Sequence, residues 1–150
     1  MTSRPVPIAR PATGFAFPVR VYWEDTDAGG IVFYANYLKF MERARTEWLR
    51  ALGIGQHALK QDTGCMFVVT DTSLRYLQPA RLDDELLVTA HLEQSGRASL
   101  TIGQQVLAGT DPTRTDSSTV LCEGRIRISW VNAETMKPAR IPPTLLEALK

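Results

Sequence analysis

One short stretch of the sequence combines acidic residues with glycines immediately before a helical pattern. It runs from Asp25 to Tyr34 with the sequence DTDAGGIVFY. The first N–H groups of a helix have no intrahelical partner and carry partial positive charge, and Gly29 and Gly30 allow a substrate to approach the backbone closely. The stretch therefore places a carboxylate beside donors for an oxyanion, the pair of groups that thioester hydrolysis requires.

A structural turn or a calcium-binding loop would use the same types of residue. Asp, Thr and Gly are common in turns, and an aspartate can cap a helix without any catalytic role. A calcium-binding loop is excluded by its ligand positions, because the fifth position is Gly29 and the twelfth is Asn36 instead of glutamate. Spacing alone leaves a structural turn and a catalytic site as alternatives.

The elements around this stretch are a strand and a long helix. Val19 to Trp23 is β-branched and aromatic, which predicts a strand that leads into the acidic segment. From Tyr34 to Leu52 apolar residues recur at spacings of three and four with charged residues between them, and Gly53 and Gly55 end this pattern. The pattern predicts a helix whose wide apolar face needs a large partner surface.

The rest of the chain is strand-like. Apolar or alternating patterns occupy the segments 65–71, 73–78, 86–93, 100–106 and 120–130. Residues 109–119 predict an exposed hairpin loop, and Leu145 to Leu149 predict a short C-terminal helix. A single long helix followed by a series of antiparallel strands predicts an α+β fold, in which the sheet curves around the helix.

Length and composition fit one domain. The chain has 150 residues, of which 44% are hydrophobic and 22% charged. Residues 1–17 are rich in proline and small residues and predict a flexible tail, so the domain is expected at 18–150. The net charge of +1 gives no general attraction to nucleic acid, and no segment approaches the ~20 apolar residues of a membrane span.

Cysteine content and the N-terminal segment indicate the compartment. Cys65 and Cys122 are too few and too far apart for a disulfide framework. Free thiols suit a reducing cytosol, and residues 1–18 contain no continuous apolar run of the kind found in a secretory signal. We therefore expect a cytoplasmic protein.

The acidic segment and its surroundings resemble a known family. Residues 20–37, with the sequence RVYWEDTDAGGIVFYANY, and residues 42–47, ERARTE, are similar to the 4-hydroxybenzoyl-CoA thioesterase-like hotdog family. The segments 76–84 and 136–138 extend the resemblance, which covers about residues 18–140. Within the family, the chain most resembles the acyl-CoA thioesterase branch that is associated with the bacterial Tol–Pal envelope system.

The resemblance implies a fold, an assembly and a reaction. The expected fold is a hotdog, a five-stranded antiparallel sheet wrapped around one long helix, and the expected assembly is a homodimer or homotetramer with active sites at the dimer interface. The expected reaction is hydrolysis of an acyl-CoA to a free acid and CoA, with acyl carrier protein as an alternative carrier. The resemblance implies no metal or redox cofactor.

The resemblance also assigns individual residues. Asp27 takes the position of the catalytic acid, as general base or as nucleophile, and Tyr34 takes the position whose backbone N–H polarises the thioester carbonyl. Gly30 and Phe33 are expected beside this pair as substrate-binding residues. Arg97 and Ser99 lie in and after a predicted turn, where related enzymes place groups that bind CoA phosphates, and arginine suits phosphate through its fork of donors.

Two positions depart from the nearest branch. Tyr34 replaces the histidine that is usual there, and Trp23 stands where relatives often have tyrosine. A backbone donor is unaffected by this exchange, whereas a side-chain acid or base would change, since histidine titrates near about pH 6.5 and tyrosine near about 10. The exchange at position 34 therefore bears on substrate choice and on the route of the proton.

The same fold is compatible with two other functions. A noncatalytic module that binds acyl carrier protein or envelope-assembly proteins would be indicated by a buried, ion-paired Asp27. A hydratase or dehydratase would be favoured by a histidine of a partner subunit near Asp27, because His57 and His91 are the only histidines and neither lies near Asp27 in the sequence. Glu42 belongs either to a solvated helix face or to a group that supports the site from behind.

Overall fold

The computed structural model describes residues 15–109 and 119–150. Five strands, β1 (Phe15–Arg20), β2 (Cys65–Tyr76), β3 (Glu85–Ser95), β4 (Ser99–Ala108) and β5 (Val120–Asn132), form one antiparallel sheet. The strand order is β1-β3-β4-β5-β2, so β1 and β2 are its edges. Three α-helices accompany the sheet in these residues, α1 (Asn36–Ala51), α2 (Gln56–Thr63) and α3 (Pro143–Leu149). This arrangement confirms the predicted hotdog fold.

The helix α1 is the centre of the fold, and its apolar periodicity determines which face is buried. The side chains that point into the core follow spacings of three and four, namely Tyr37, Phe40, Met41, Ala44, Trp48 and Leu49. They face β1, β3 and β4. Burial of each large apolar side chain contributes about 1.5–3 kcal/mol, so α1 is held firmly against one face of the sheet. Helix α1 is shorter at both ends than the predicted Tyr34–Leu52.

The first strand begins earlier than predicted. Phe15, Phe17 and Val19 occupy alternate positions of β1 and all pack on the core, which extends the strand into the segment that was predicted to be tail. Pro18 is tolerated because β1 is an edge strand and needs no donor on its outer side. Trp23, predicted to end the strand, lies instead in a short 3-10 helix, Trp23–Asp25.

The strand β2 is continuous where the sequence suggested two separate segments. It pairs with β5 from Cys65 opposite Asn132 to Tyr76 opposite Cys122, and the register shifts between Val69 and Asp71. A bulge of this kind interrupts the alternation of side chains without ending the strand. Helix α2 was not predicted, because its sequence lacks an apolar period and none of its residues is fully buried.

A buried glutamine connects α1 to the sheet. The side-chain amide of Gln104 donates to the carbonyls of Met41, at 3.0 Å, and Thr89, at 3.1 Å. Its oxygen accepts from Arg45 at 2.9 Å, and burial lowers the pKa of that arginine while Glu42 opposes the shift. Satisfied buried polar groups of this kind fix one arrangement of a core, so this network helps to set the position of α1 on the sheet.

The remaining predictions for the C-terminal half have mixed outcomes. Helix α3 includes the predicted Leu145–Leu149 and begins at Pro143, since proline is favoured in the first helical turn. Most of the predicted loop at 109–119 lies outside the described residues. Within 15–109 and 119–150, no helix has the length and apolarity needed to cross a membrane.

Candidate active site

Asp27 lies in a tight hairpin between the 3-10 helix and α1. Its N–H donates to the carbonyl of Ile31 at 2.9 Å, and its carbonyl accepts from the N–H of Gly30 at 3.0 Å. Thr26 and Val32 pair across the hairpin in antiparallel fashion. Gly30 has a φ of +83°, a conformation that glycine adopts without steric cost. The aspartate is therefore presented in an exposed turn whose backbone is fixed by hydrogen bonds.

The carboxylate of Asp27 is partly oriented and otherwise accessible. One oxygen, Oδ1, accepts from the N–H of Gly29 at 2.8 Å. A Cβ atom at Gly29 would lie 3.3 Å from the same oxygen, so a larger residue there would press on the carboxylate. Among the residues described, Asp27 forms no ion pair and Oδ2 accepts no hydrogen bond. The exposed side chain is thus unlike the buried, ion-paired aspartate that would favour a noncatalytic module.

A second aspartate, Asp25, holds the hairpin against the helix. It is only 4% exposed, and its Oδ2 accepts from the N–H of Tyr22 at 2.8 Å. Its carbonyl accepts from the N–H of Phe33 and from the side-chain amide of Asn36, both at 2.9 Å. This supporting role was not predicted from the sequence. Asp25 and Asp27 belong to one acidic segment, and they differ only in burial, which the sequence pattern does not reveal.

Tyr34 lies in a turn immediately before α1. The N–H of Asn36 donates to the carbonyl of Phe33 at 2.8 Å, which closes the turn and delays the start of the helix beyond Tyr34. The N–H of Tyr34 makes no hydrogen bond to any part of the chain that the structure describes. A backbone donor is therefore available at the position where the resemblance places the oxyanion contact.

Aromatic side chains surround this end of α1. The rings of Phe33 and Tyr34 are 4.8 Å apart, and Tyr76 lies edge-on to Tyr34 at 6.2 Å. Trp23 is 83% exposed and Tyr34 63%. Exposed apolar surface of this kind marks ligand-binding or protein-binding sites, so the catalytic candidates lie beside a surface suited to an acyl group or to another protein.

The predicted phosphate-binding residues lie elsewhere. Arg97 belongs to the turn between β3 and β4, and Ser99 begins β4 opposite Ser129 of β5. The turn that carries Tyr34 lies at the other end of β5, because Tyr76, which pairs with Cys122, donates to the Tyr34 carbonyl. Seven residues at ~3.3 Å each separate Ser129 from Cys122 along the strand, about 23 Å. In one chain Asp27 and Gly30 belong to the hairpin, Phe33 and Tyr34 follow it directly, and Arg97 and Ser99 lie at the opposite end of the sheet from Tyr34.

The remaining titratable candidates lie outside the hairpin that carries Asp27. His91 is on β3 with its Nε2 3.5 Å from Glu93, packed over Gly103 on the face of the sheet opposite α1, and His57 is in α2. Within one chain, neither histidine belongs to the hairpin that carries Asp27 or to the turn that follows it. Glu42 is exposed on α1 and accepts from the hydroxyl of Thr46 at 2.8 Å, as expected for a solvated helix face.

The hairpin gives a direct stability prediction. Gly30→Ala forces a Cβ atom into a left-handed conformation and is expected to destabilise the fold by about 1–2 kcal/mol. Gly96→Ala is the control, since its added Cβ makes only ordinary contacts and its φ is not positive. Urea unfolding of both variants measures the difference. Equal stability of the two variants would show that the hairpin does not hold Gly30 in this conformation.

Comparisons with known proteins agree with this fold. Residues 21–149 match the model of the Thioesterase-like superfamily, and the chain belongs to that superfamily. It is 39% identical over 129 residues to the acyl-CoA thioesterase YbgC of Haemophilus influenzae, which covers 86% of this chain and 89% of that protein. It is 38% identical over 138 residues to the acyl-CoA thioester hydrolase YbgC of Escherichia coli O157:H7, with coverage of 92% and 97%.

Solved structures show the same architecture. A probable thioesterase from Bartonella henselae has a TM-score of 0.76 at 30% identity, covering 86% of this chain and 99% of that one. A 4-hydroxybenzoyl-CoA thioesterase solved with 4-hydroxybenzoyl-CoA has a TM-score of 0.83 at 17% identity, with coverage of 93% and 100%. At that identity the second similarity establishes the fold alone.

Proposed function

We propose that this protein hydrolyses an acyl-CoA thioester to a free acid and CoA. The observation that carries the proposal is the pairing of an accessible carboxylate with an unbonded backbone donor. Asp27 has one oxygen fixed by Gly29 and the other open, and the hairpin that holds it leads directly to the Tyr34 N–H. The identity of 38–39% to acyl-CoA thioester hydrolases supports the same reaction.

Two routes fit this geometry. In the first, Asp27 takes a proton from a water molecule, which attacks the thioester carbonyl. In the second, Oδ2 of Asp27 attacks the carbonyl itself and forms an anhydride, which water then hydrolyses. In both routes the N–H of Tyr34 stabilises the oxyanion, an interaction typically worth about 3–4 kcal/mol of the barrier, and the CoA thiolate leaves when the tetrahedral intermediate collapses.

The groups around Asp27 suit the acyl part of the substrate. Gly30 leaves the backbone open on the substrate side, since a Cβ placed there would meet no atom within 4 Å. Phe33 presents a ring against Tyr34, and Trp23, in the 3-10 helix before the hairpin, is exposed as well. These residues would contact the acyl chain while the thioester carbonyl occupies the start of α1.

The CoA phosphates are expected to meet Arg97 and Ser99 across a dimer. Strand β2 is a 12-residue edge strand, and an uncovered edge of this length is a template for pairing with another chain. A two-fold axis between two antiparallel β2 strands reverses one sheet relative to the other. The β3–β4 turn of one copy then approaches the end of the sheet that carries the other copy's Asp27, so Arg97 of the partner subunit would serve that site.

The assembly prediction has a direct test. We expect light scattering to give a dimer or a tetramer, and we expect Val69→Lys, at a 51% exposed position of β2, to give a monomer, because lysine on an edge strand opposes strand pairing. Met136→Lys, at another exposed apolar position, is the control and should keep the assembly. A wild-type protein that is monomeric at micromolar concentration would contradict the prediction.

We also propose a cytoplasmic location and protein partners. Cys65 and Cys122 are free thiols, and burial raises the pKa of Cys122 to about 12, which suits a structural thiol in the reducing cytoplasm. Use of acyl carrier protein as the carrier and association with the Tol–Pal system remain predictions from the family resemblance.

A panel of acyl-CoAs tests the proposed function. Purified protein is mixed with acetyl-, short-chain, long-chain and aromatic acyl-CoAs, and the released thiol is followed with a thiol-trapping dye. The expected result is a kcat/KM of about 10⁴ M⁻¹s⁻¹ or more for at least one substrate, the lower end of the usual enzymatic range. Release no faster than the uncatalysed rate for every acyl-CoA of the panel would contradict the proposal.

A further inference from the structure

The phenol of Tyr76 contacts the backbone of the turn that precedes α1. Tyr76 is the last residue of β2, and its hydroxyl donates to the carbonyl of Tyr34 at 3.1 Å. The two residues are 42 positions apart in the sequence, so this hydrogen bond joins the edge of the sheet to the start of the helix. Neither the motif nor the reaction proposed above accounts for it.

The bond acts on the peptide that follows the Tyr34 N–H. On one side of Tyr34, the carbonyl of Phe33 accepts from the N–H of Asn36. On the other side, the carbonyl of Tyr34 accepts from Tyr76. The peptides on both sides are therefore anchored, and together they restrict φ and ψ of Tyr34, which determine where its N–H points. The turn itself is exposed and lies outside the helical hydrogen-bond ladder.

Tyr76 is itself held in place. It pairs with Cys122 of β5, and its ring packs 5.6 Å from that of Tyr37, whose hydroxyl accepts from the N–H of Ala80 at 3.1 Å. Desolvation raises the pKa of the Tyr76 phenol, so the group keeps its proton and remains a donor near neutral pH. The Tyr76 side chain that holds the Tyr34 carbonyl is thus fixed to the sheet.

We infer that Tyr76 is a positioning residue: its hydroxyl fixes the Tyr34–Ala35 peptide so that the N–H of Tyr34 stays directed at the thioester carbonyl. The inference rests on the proposed function. A preorganised donor costs no reorganisation when the oxyanion forms. Tyr76 would therefore affect the chemical step, and it would have little effect on the binding of the ground-state substrate.

The test begins with Tyr76→Phe, which removes only the hydroxyl. We expect kcat to fall about 10-fold with KM changed by less than about 2-fold, the signature of an interaction made in the transition state. The melting temperature should change by no more than about 2 °C, since the lost bond is exposed and single. Tyr37→Phe is the matched control: loss of its buried bond to Ala80 should lower the melting temperature more and kcat less.

A double-mutant cycle separates positioning from a general structural role. Tyr34→Pro removes the N–H that Tyr76 is inferred to direct, so adding Tyr76→Phe to Tyr34→Pro should change kcat by less than about 2-fold. An undiminished 10-fold loss in that background would overturn the inference. A rise in KM at constant kcat would also overturn it, because the phenol would then contact the substrate.

Backbone dynamics provide a readout that does not depend on activity. The NMR order parameter of the Tyr34 amide is expected near about 0.85 in the wild type and below about 0.6 in Tyr76→Phe. An unchanged order parameter would overturn the inference whatever the enzyme does. Failure of the wild type to hydrolyse any thioester would instead overturn the proposed function, and a fall in the order parameter would still support the anchoring of Tyr34 by Tyr76.

Discussion

Asp27→Asn is expected to lower kcat by at least about 10²-fold while the protein stays folded. The amide can still accept from the N–H of Gly29 through its oxygen, so the hairpin is preserved. It cannot attack the thioester carbonyl as a carboxylate does, and it is too weak a base to activate water. Thiol release from the best acyl-CoA substrate, together with circular dichroism of both proteins, measures the two parts of this prediction.

Two other aspartates serve as controls for Asp27. Asp62→Asn changes a surface position on α2 and should leave kcat as it is. Asp25→Asn affects the buried carboxylate that accepts from Tyr22 and should lower the melting temperature. Near wild-type hydrolysis by Asp27→Asn would show that Asp27 takes no part in the reaction. The acidic segment would then be only a structural turn.

The second large effect is expected at Tyr34, where the backbone and the side chain can be tested separately. Tyr34→Pro removes the N–H, and proline is favoured at the second position of a turn closed as this one is. Activity should therefore fall by about 10²-fold or more, as expected for the loss of one oxyanion donor. The fold should survive, which circular dichroism and the melting temperature would check.

Side-chain variants at the same position complete the comparison. Tyr34→Phe keeps both the backbone donor and the ring, so it should retain most of the activity. Tyr34→His should be active as well, with a new pH dependence near neutrality, because histidine titrates close to about pH 6.5, and with an altered acyl preference. A Phe variant slowed by about 10²-fold, with the Pro variant folded and unimpaired, would identify the phenol as the acid.

The sequence predicted the central helix and the turn before it well because both depend on local patterns. The spacing of the apolar residues along α1 identifies the face that packs on the sheet. The glycines before the helix indicate a turn. The exact start of α1 was harder to predict from the sequence. The same residues allow several turn conformations, and the hydrogen bond from Asn36 to Phe33 belongs to only one of them.

Features that depend on long-range contacts could not be predicted. The bulge near Thr70 is maintained by pairing between β2 and β5, and no local pattern distinguishes it from a break between two strands. The burial of Asp25 and the anchoring of Tyr34 by Tyr76 depend on segments that meet only in the folded chain. The separation of Arg97 and Ser99 from Asp27 likewise follows from the sheet topology.

The most direct test of the catalytic site is a crystal structure of Asp27→Asn with the best acyl-CoA substrate of the panel bound intact. The account predicts that the thioester carbonyl oxygen lies about 2.7–3.1 Å from the backbone nitrogen of Tyr34, with the side chain of residue 27 next to the carbonyl carbon. A thioester bound away from the start of α1, or a carbonyl that accepts from other donors while the Tyr34 N–H faces solvent, would contradict the account.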